Sequence, residues 1–335
     1  MTEEKTTAPP KSHCTSEDPP SPIADYMKSA KRRLLGLGVR FGLVEKPVRP
    51  PADFCDNPES ALTAYRLYND GMADAEENLV PELVERAVQF AYLAWPKRIR
   101  QYIVGKDVLD VGCGTGLHGI GFAVMGVKRY TGVDPRVDPD QKKSKNLRTR
   151  RWEDFGWTGR QIMAAMPRIR LVSGGVEELP SVERFDVVVL HNVTEHLMEL
   201  ESVIEEASRR LKPNGILLYN HHNFFAWNGH HMAPKRVSEI DSSDPEQKDY
   251  VDWAHLDFDA PEGHYFRRGL NRIRLHELWE LTEKYFDILE WTCKASSSEQ
   301  GADRLTEEIR ARHPDLDDED FLTQNVFVRA SPKTR

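Results

Sequence analysis

The sequence has no apolar run approaching the roughly 20 residues that cross a lipid core, so no membrane span is expected. It has only four cysteines in 335 residues, Cys14, Cys55, Cys113 and Cys293. They are scattered, with no C-x-x-C pair, which argues against a disulfide framework and against a zinc ribbon. Positive charge is not in excess: 46 Lys and Arg stand against 54 Asp and Glu, for a net charge of -8. Gripping long nucleic acid requires a basic face. Nucleic acid is therefore a disfavoured partner, and a small molecule or glycan suits the charge better. The opening stretch "MTEEKTTAPPKSHC" lacks the basic-then-apolar layout of a secretion signal, so the expected location is the cytoplasm. No internal repeat is visible.

What is present divides the chain into three expected parts. Residues 1–50 read as a disordered tail rich in Pro, Ser, Thr and charge, followed by a basic linker. The linker, at 28–50, interleaves Lys and Arg with Leu, Val and Phe. Its three glycines weaken any helix, which favours a solvated linker over a membrane-surface segment. Residues 51–104 are expected to form a helical cover. "NLVPELVERAVQFAYLAWPKRI" spaces its apolar residues at three and four, with Pro81 suited to a first turn and Pro96 expected to end or kink the helix. From 105 to 335 the period changes. Short Val- and Leu-rich runs at 107–112, 129–134, 168–174, 185–192 and 215–220 alternate with helical stretches at 117–126 and 198–211. That alternation predicts a parallel α/β sheet covered on both faces. A helix at 275–285, a strand at 286–293 and a last strand at 324–330 complete the pattern, the last returning antiparallel beside its predecessor.

The strongest motif is "VLDVGCGTG", Val108 to Gly116. A strand ends at Asp110, and Gly112, Gly114 and Gly116 let the backbone turn tightly and approach a ligand. Glycines at this spacing alone suit any dinucleotide fold. Here a second acid, Asp134, ends the next strand 20 residues after Gly114, where a carboxylate can accept two hydrogen bonds from ribose hydroxyls.

With "DVGCGTG", "GVDP", "GGVEELP", "FDVVVLHNVTEHL" and "LKPNGILL" in this order, residues 105–220 resemble the class I S-adenosylmethionine-dependent methyltransferases. The sequence is similar to the type 11 and ubiquinone-biosynthesis-like group. The resemblance implies a Rossmann-like sheet of seven strands with the last antiparallel, and S-adenosylmethionine as cofactor. It implies that Asp110, Gly112, Gly114 and Gly116 line the methionine and ribose part, that Asp134 holds the ribose hydroxyls, and that His191 and Asn192 lie near the methionine end. The family's usual adenine-contacting acid falls at Gly175 here. Backbone groups of Val176 or the side chain of Glu177 are expected in its place.

Methyl transfer to a hydroxyl needs alignment, exclusion of water and removal of a proton, for which histidine is suited. Six of the twelve histidines lie between 221 and 264. They fall in a segment, 221–270, that is longer than an ordinary connection and rich in aromatics. It is expected to be a cap inserted after the fifth strand, because ligands in open α/β sheets bind beyond the carboxyl ends of strands. The histidines have three readings. One is an acceptor pocket with His222, then His196, as the base. Another is a divalent metal site of Glu195, His196 and His222, a pattern similar to that of metal-assisted O-methyltransferases. The third is structural bonding to loop backbone. O-methylation of a small molecule or glycan-like acceptor is favoured. An RNA methyltransferase and a non-catalytic binding or regulatory protein on the same fold are the alternatives. Trp152, Phe155 and Trp157, in an insert between strands two and three, either reach the pocket or pack the insert.

Overall fold

The computed structural model describes residues 50–69 and 79–333. The expected tail and basic linker lie outside the described residues, Pro50 excepted. Helix α1 spans Pro58–Tyr68. Its first turn is closed by the Asn57 side chain, which accepts from the amides of Glu59 and Ser60 at 3.0 and 3.2 Å, and Pro58 takes the position where no amide hydrogen is needed. Helix α2, Val80–Gln89, buries Val80, Leu83, Val84, Ala87 and Val88, the three-and-four stripe read from the sequence. The break expected at Pro96 occurs earlier. The chain turns at Ala91, which has a φ of 63°, and restarts as the short helix α3, Ala94–Arg98. Pro96 is tolerated there because first-turn amides have no partner within their own helix.

The strands are β1 (Asp107–Val111), β2 (Arg129–Asp134), β5 (Ile169–Ser173), β6 (Phe185–His191), β7 (Leu211–His222), β8 (Phe286–Ala295) and β9 (Thr323–Pro332). They form one seven-stranded sheet in the order β5-β2-β1-β6-β7-β9-β8, with the last strand antiparallel. The fold is the Rossmann-like α/β architecture. β1 pairs in parallel with β2, Asp110 opposite Gly132, and with β6, Asp110 opposite Val189. All five β1 residues are buried, as a central strand covered on both faces requires. Helix α4, His118–Val124, packs against the N-terminal helices, and Gly121 makes the approach close: a Cβ there would overlap the Tyr92 carbonyl oxygen.

Two compact units are distinguished. One comprises the described residues up to Val193 with 202–218 and 331–333; the other comprises 194–201 and 219–330. In the first, the insert between β2 and β5 forms a hairpin of β3 (Lys143–Lys145) and β4 (Trp152–Asp154), followed by helix α5, Gly159–Ala165. Phe155 is buried edge-on against Phe90 at 5.1 Å, whereas Trp152 is 59% exposed. Of the three aromatics, Phe155 packs the insert. The basic stretch 140–151, "DQKKSKNLRTRR", is only partly solvated, because Arg148 donates to the carbonyl oxygens of Val88 and Cys55 and pairs with Asp56.

In the second unit, β7 runs two residues past the expected end at Asn220, so His221 and His222 are strand residues rather than loop residues. Beyond them the chain turns through short one-turn pieces packed around aromatics. Phe224, Tyr250, Ala260, Phe266 and Leu270 form one cluster, and Trp227, Trp253, Ile309 and Phe321 another. Asn223 ties the start of this segment down, its amide donating to the carbonyl oxygens of Asp320 and Thr323 at 2.7 and 2.8 Å.

Candidate active site

The glycine loop follows β1 directly. Gly112, Gly114 and Gly116 have φ values of 74, 62 and 79°, all in the left-handed region that favours glycine. Their surroundings differ. A Cβ at Gly112 would overlap Val193, and one at Gly116 would overlap Leu171, while one at Gly114 would meet nothing within 4 Å. The outer two glycines thus serve packing, and the middle one presents bare backbone to open space.

Asp134 organises this loop. Its Oδ2 accepts the Gly114 amide at 2.9 Å and its Oδ1 accepts the Arg136 amide at 2.7 Å. The Arg136 guanidinium also reaches both oxygens at 3.2 Å from a side chain that is 74% exposed, which keeps this ion pair weak. Asp110 is placed differently. It is fully buried and accepts the Tyr130 hydroxyl at 2.7 Å, and burial pushes its carboxyl up to about 7 despite that hydrogen bond. The Glu177 carboxylate folds back into the space a side chain at 175 would fill. Val176 opens the short turn 176–178 and is buried.

His191 ends β6 and stacks on Trp95 with ring centroids 4.2 Å apart, while His118 stands edge-on to it at 5.2 Å. Burial lowers the pKa of both imidazoles, His118 to about 4 and His191 well below the ordinary histidine value. Trp95 and His118 were not read as site residues from the sequence. Their only signal was position, one at the end of the helical cover and one just past the glycine loop. Asn192 follows, exposed, with a φ of 51°.

The residues fit S-adenosylmethionine. The open position at Gly114, a buried carboxylate at the end of β2 and an acid placed over Gly175 supply what a nucleoside with a cationic tail requires.

The second unit holds the histidine cluster. Glu195 is buried, and among the described residues Oε1 of its carboxylate has no hydrogen-bond partner. Burial raises its pKa to about 7. His196 Nε2 lies 3.7 Å from that oxygen, and its Nδ1 lies 2.7 Å from the Gly269 carbonyl oxygen. The carbonyl can only accept, so Nδ1 carries the hydrogen and Nε2 is the basic nitrogen. His222 is enclosed: Nδ1 is 2.5 Å from His231 Nε2, and Nε2 is 3.3 Å from Asn228 Oδ1. Burial lowers its pKa to about 4. His221 is fully buried, with Nδ1 3.0 Å from the Thr194 hydroxyl. His230 and His255 are also core residues: His230 Nδ1 accepts the Met232 amide and His255 Nε2 donates to the Phe224 carbonyl.

Ligand atoms of Glu195, His196 and His231 lie within 4.8 Å of one another. The sequence had grouped Glu195 and His196 with His222. The structure puts His231 in the third place, because the 229–231 turn brings it onto His196, with centroids 4.9 Å apart. The turn itself requires Gly229, where a Cβ would overlap the Phe224 and Asn223 carbonyl oxygens.

Residues 109–219 match the methyltransferase domain family. A ubiquinone biosynthesis O-methyltransferase of Actinobacillus pleuropneumoniae is 29% identical over 120 residues, covering 35% of this chain and 46% of that protein. An Arabidopsis thaliana protein named probable protein arginine N-methyltransferase 6 is 24% identical over 230 residues, covering 67% of this chain and 45% of that protein. The chain spans about half the length of the curated relatives it matches. Among solved structures, an S-adenosylmethionine-dependent methyltransferase from Mesorhizobium loti is 13% identical with a TM-score of 0.40, covering 71% of this chain and 96% of that one. Residues 109–219 thus match a methyltransferase domain, and S-adenosylmethionine is the cofactor that this likeness implies. Among the described residues no helix is long and apolar enough to cross a membrane.

Proposed function

We propose that the protein transfers a methyl group from S-adenosylmethionine to a hydroxyl of a small-molecule or glycan-like acceptor. The observation that carries the donor half is the Asp134–Gly114 arrangement behind an open glycine position. In this reading Asp134 holds the ribose hydroxyls, Glu177 and the backbone at Val176 face the adenine, and His191 and Asn192 border the methionine end. Asp110 acts through Tyr130, fixing the floor of the loop. The bound cofactor supplies a methyl carbon activated by its sulfonium.

Transfer would join the acceptor oxygen to that carbon as the carbon–sulfur bond gives its electron pair back to sulfur, and what the chain itself must supply is a base for the hydroxyl proton. The products are the methyl ether, S-adenosylhomocysteine and a proton. His196 is the proposed base, because its tautomer leaves Nε2 basic. His222 is the proposed positioning residue for the cluster, because His231 and Asn228 already engage both its ring nitrogens. Glu195, with a pKa near 7, is matched to receive the proton next.

A divalent-metal reading draws support from the three convergent ligand atoms and the unpartnered Glu195 oxygen. Activity lost on chelation and restored by one metal supports it; undiminished activity in a sample free of metal by elemental analysis removes it. The acceptor is identified by transferring a tritiated methyl group into fractionated cell extracts. Label in a small molecule or glycan supports the proposal, and label confined to RNA or to protein arginine overturns it. His196→Gln is expected to lower kcat at least 100-fold and to abolish its pH dependence, with donor affinity unchanged.

A further inference from the structure

A cleft of about 470 Å³ opens in the 219–330 unit, lined by Phe258, Phe266, Leu270, Arg267 and Arg272 with Ala260 and Asp259. Its charge is unbalanced inside. Arg267 is committed: its Nε donates to the Ala260 carbonyl oxygen and its Nη2 pairs at 2.9 Å with Asp259, which is 94% exposed at the rim. Arg272 is not. Its guanidinium carbon lies 5.0 Å from the centre of the Phe224 ring and 5.7 Å from that of Phe266, and among the described residues it has no hydrogen bond and no ion pair.

An uncommitted arginine ordinarily carries its head out into water. Arg272 instead lies half-buried over aromatic faces, beside a second cation. Its backbone is held at a φ of 56°, an unfavourable region for a side chain of this size. The hold is external. The neighbouring Asn271 donates from its side chain to the carbonyl oxygens of Thr194 and Leu197 at 2.7 and 2.9 Å, and from its amide to the Glu195 carbonyl oxygen at 2.9 Å. A half-desolvated guanidinium placed at conformational cost, with no acid facing it, is the arrangement that an incoming oxyanion completes through paired N–H donors. The apolar wall of Phe258, Phe266 and Leu270 accommodates a ring-sized body, and the volume is that of small-molecule sites.

We propose that this cleft binds an oxyanion, phosphate or carboxylate, carried on a ring-sized body, and that it is where the acceptor's anionic group is held. The second half rests on the methyltransferase reading. The segment Gly269–Arg272 links the two, since Gly269 accepts from His196 and Asn271 fixes the 194–197 turn, while Arg272 lines the cleft.

The test is calorimetric titration of the full chain at low salt with phenyl phosphate, benzoate and neutral benzyl alcohol. Saturable binding of at least one anion and none of the alcohol is expected, with the preferred anion deciding between phosphate and carboxylate. Arg272→Met should weaken that binding at least tenfold and Arg267→Met should weaken it less, whereas Arg184→Met, at an exposed position that does not line the cleft, should leave it unchanged. If Arg272→Met fails to fold by circular dichroism, Arg272→Lys and competition by inorganic phosphate replace it. No saturable anion binding, equal affinity in the Arg272 and Arg184 variants, or equal binding of the alcohol overturns the proposal. S-adenosylmethionine titrated into the same wild-type sample separates the two claims. Its failure to bind sinks the methyltransferase reading and leaves the anion result standing, and the reverse holds.

Discussion

Three glycines two residues apart look alike in the sequence and differ in the fold. Gly116→Ala drives a methyl group into Leu171 in addition to straining a left-handed backbone, and is expected to cost about 2–4 kcal/mol of stability. Gly114→Ala meets no neighbour and should cost only about 1–2 kcal/mol, yet weaken S-adenosylmethionine binding more than tenfold by filling the open position. Urea unfolding and donor titration on both variants check this; equal donor affinity for Gly114→Ala and wild type would contradict it. The spacing made the loop legible, because strand, turn and helix are local. It did not reveal that Glu177 covers Gly175, or that Asp110 bonds Tyr130. Glu177 depends on how the 176–178 turn folds back, and Asp110 on the pairing of two parallel strands.

Among the elements, β7 sharpened the account most. The histidine-rich stretch was legible as important from its place after a strand, but not as strand itself. Two extra residues carry His221 into the core and leave His222 enclosed by His231 and Asn228. His231 entered the Glu195–His196 group through a turn that only Gly229 permits, a contact nine residues from His222 that no periodicity encodes. The element that holds this group in place is the strap at 269–271. Asn271→Ala removes two side-chain hydrogen bonds to the 194–197 turn and should cost about 1–3 kcal/mol. It should lower kcat on the identified acceptor while donor affinity stays at the wild-type value. A fall in donor affinity with kcat preserved would show that the strap does not serve the histidine cluster.

At the scale of the whole molecule, the buried titratable groups oppose one another. Burial lowers the pKa of His118, His222 and His255 to about 4 and of His221 to about 3. The unfolded chain takes up protons first as pH falls below 6.5, so their stabilisation is present above that pH and is lost toward pH 4. Asp110 and Glu195, raised to about 7, run the other way: the folded state keeps their protons, and their contribution is lost as pH rises from about 4 to 7. Burial also lowers His230 to about 2 and depresses His191 and His231, so seven imidazoles outweigh two carboxyls. The net expectation is a loss of stability between pH 7 and pH 5, read from urea unfolding. Asp110→Asn removes one opposing group and should make that acid-side loss steeper; a folded state that gains stability toward pH 5 would contradict the assignment.

The central claim is that Asp134 and the loop it holds form a donor site. Calorimetric titration of the full chain with S-adenosylmethionine tests it most directly, with Asp134→Asn alongside. Saturable one-to-one binding by the wild type, weakened at least tenfold in Asp134→Asn with the fold retained by circular dichroism, is the predicted result. No binding by the wild type, or equal affinity in the two proteins, would contradict it.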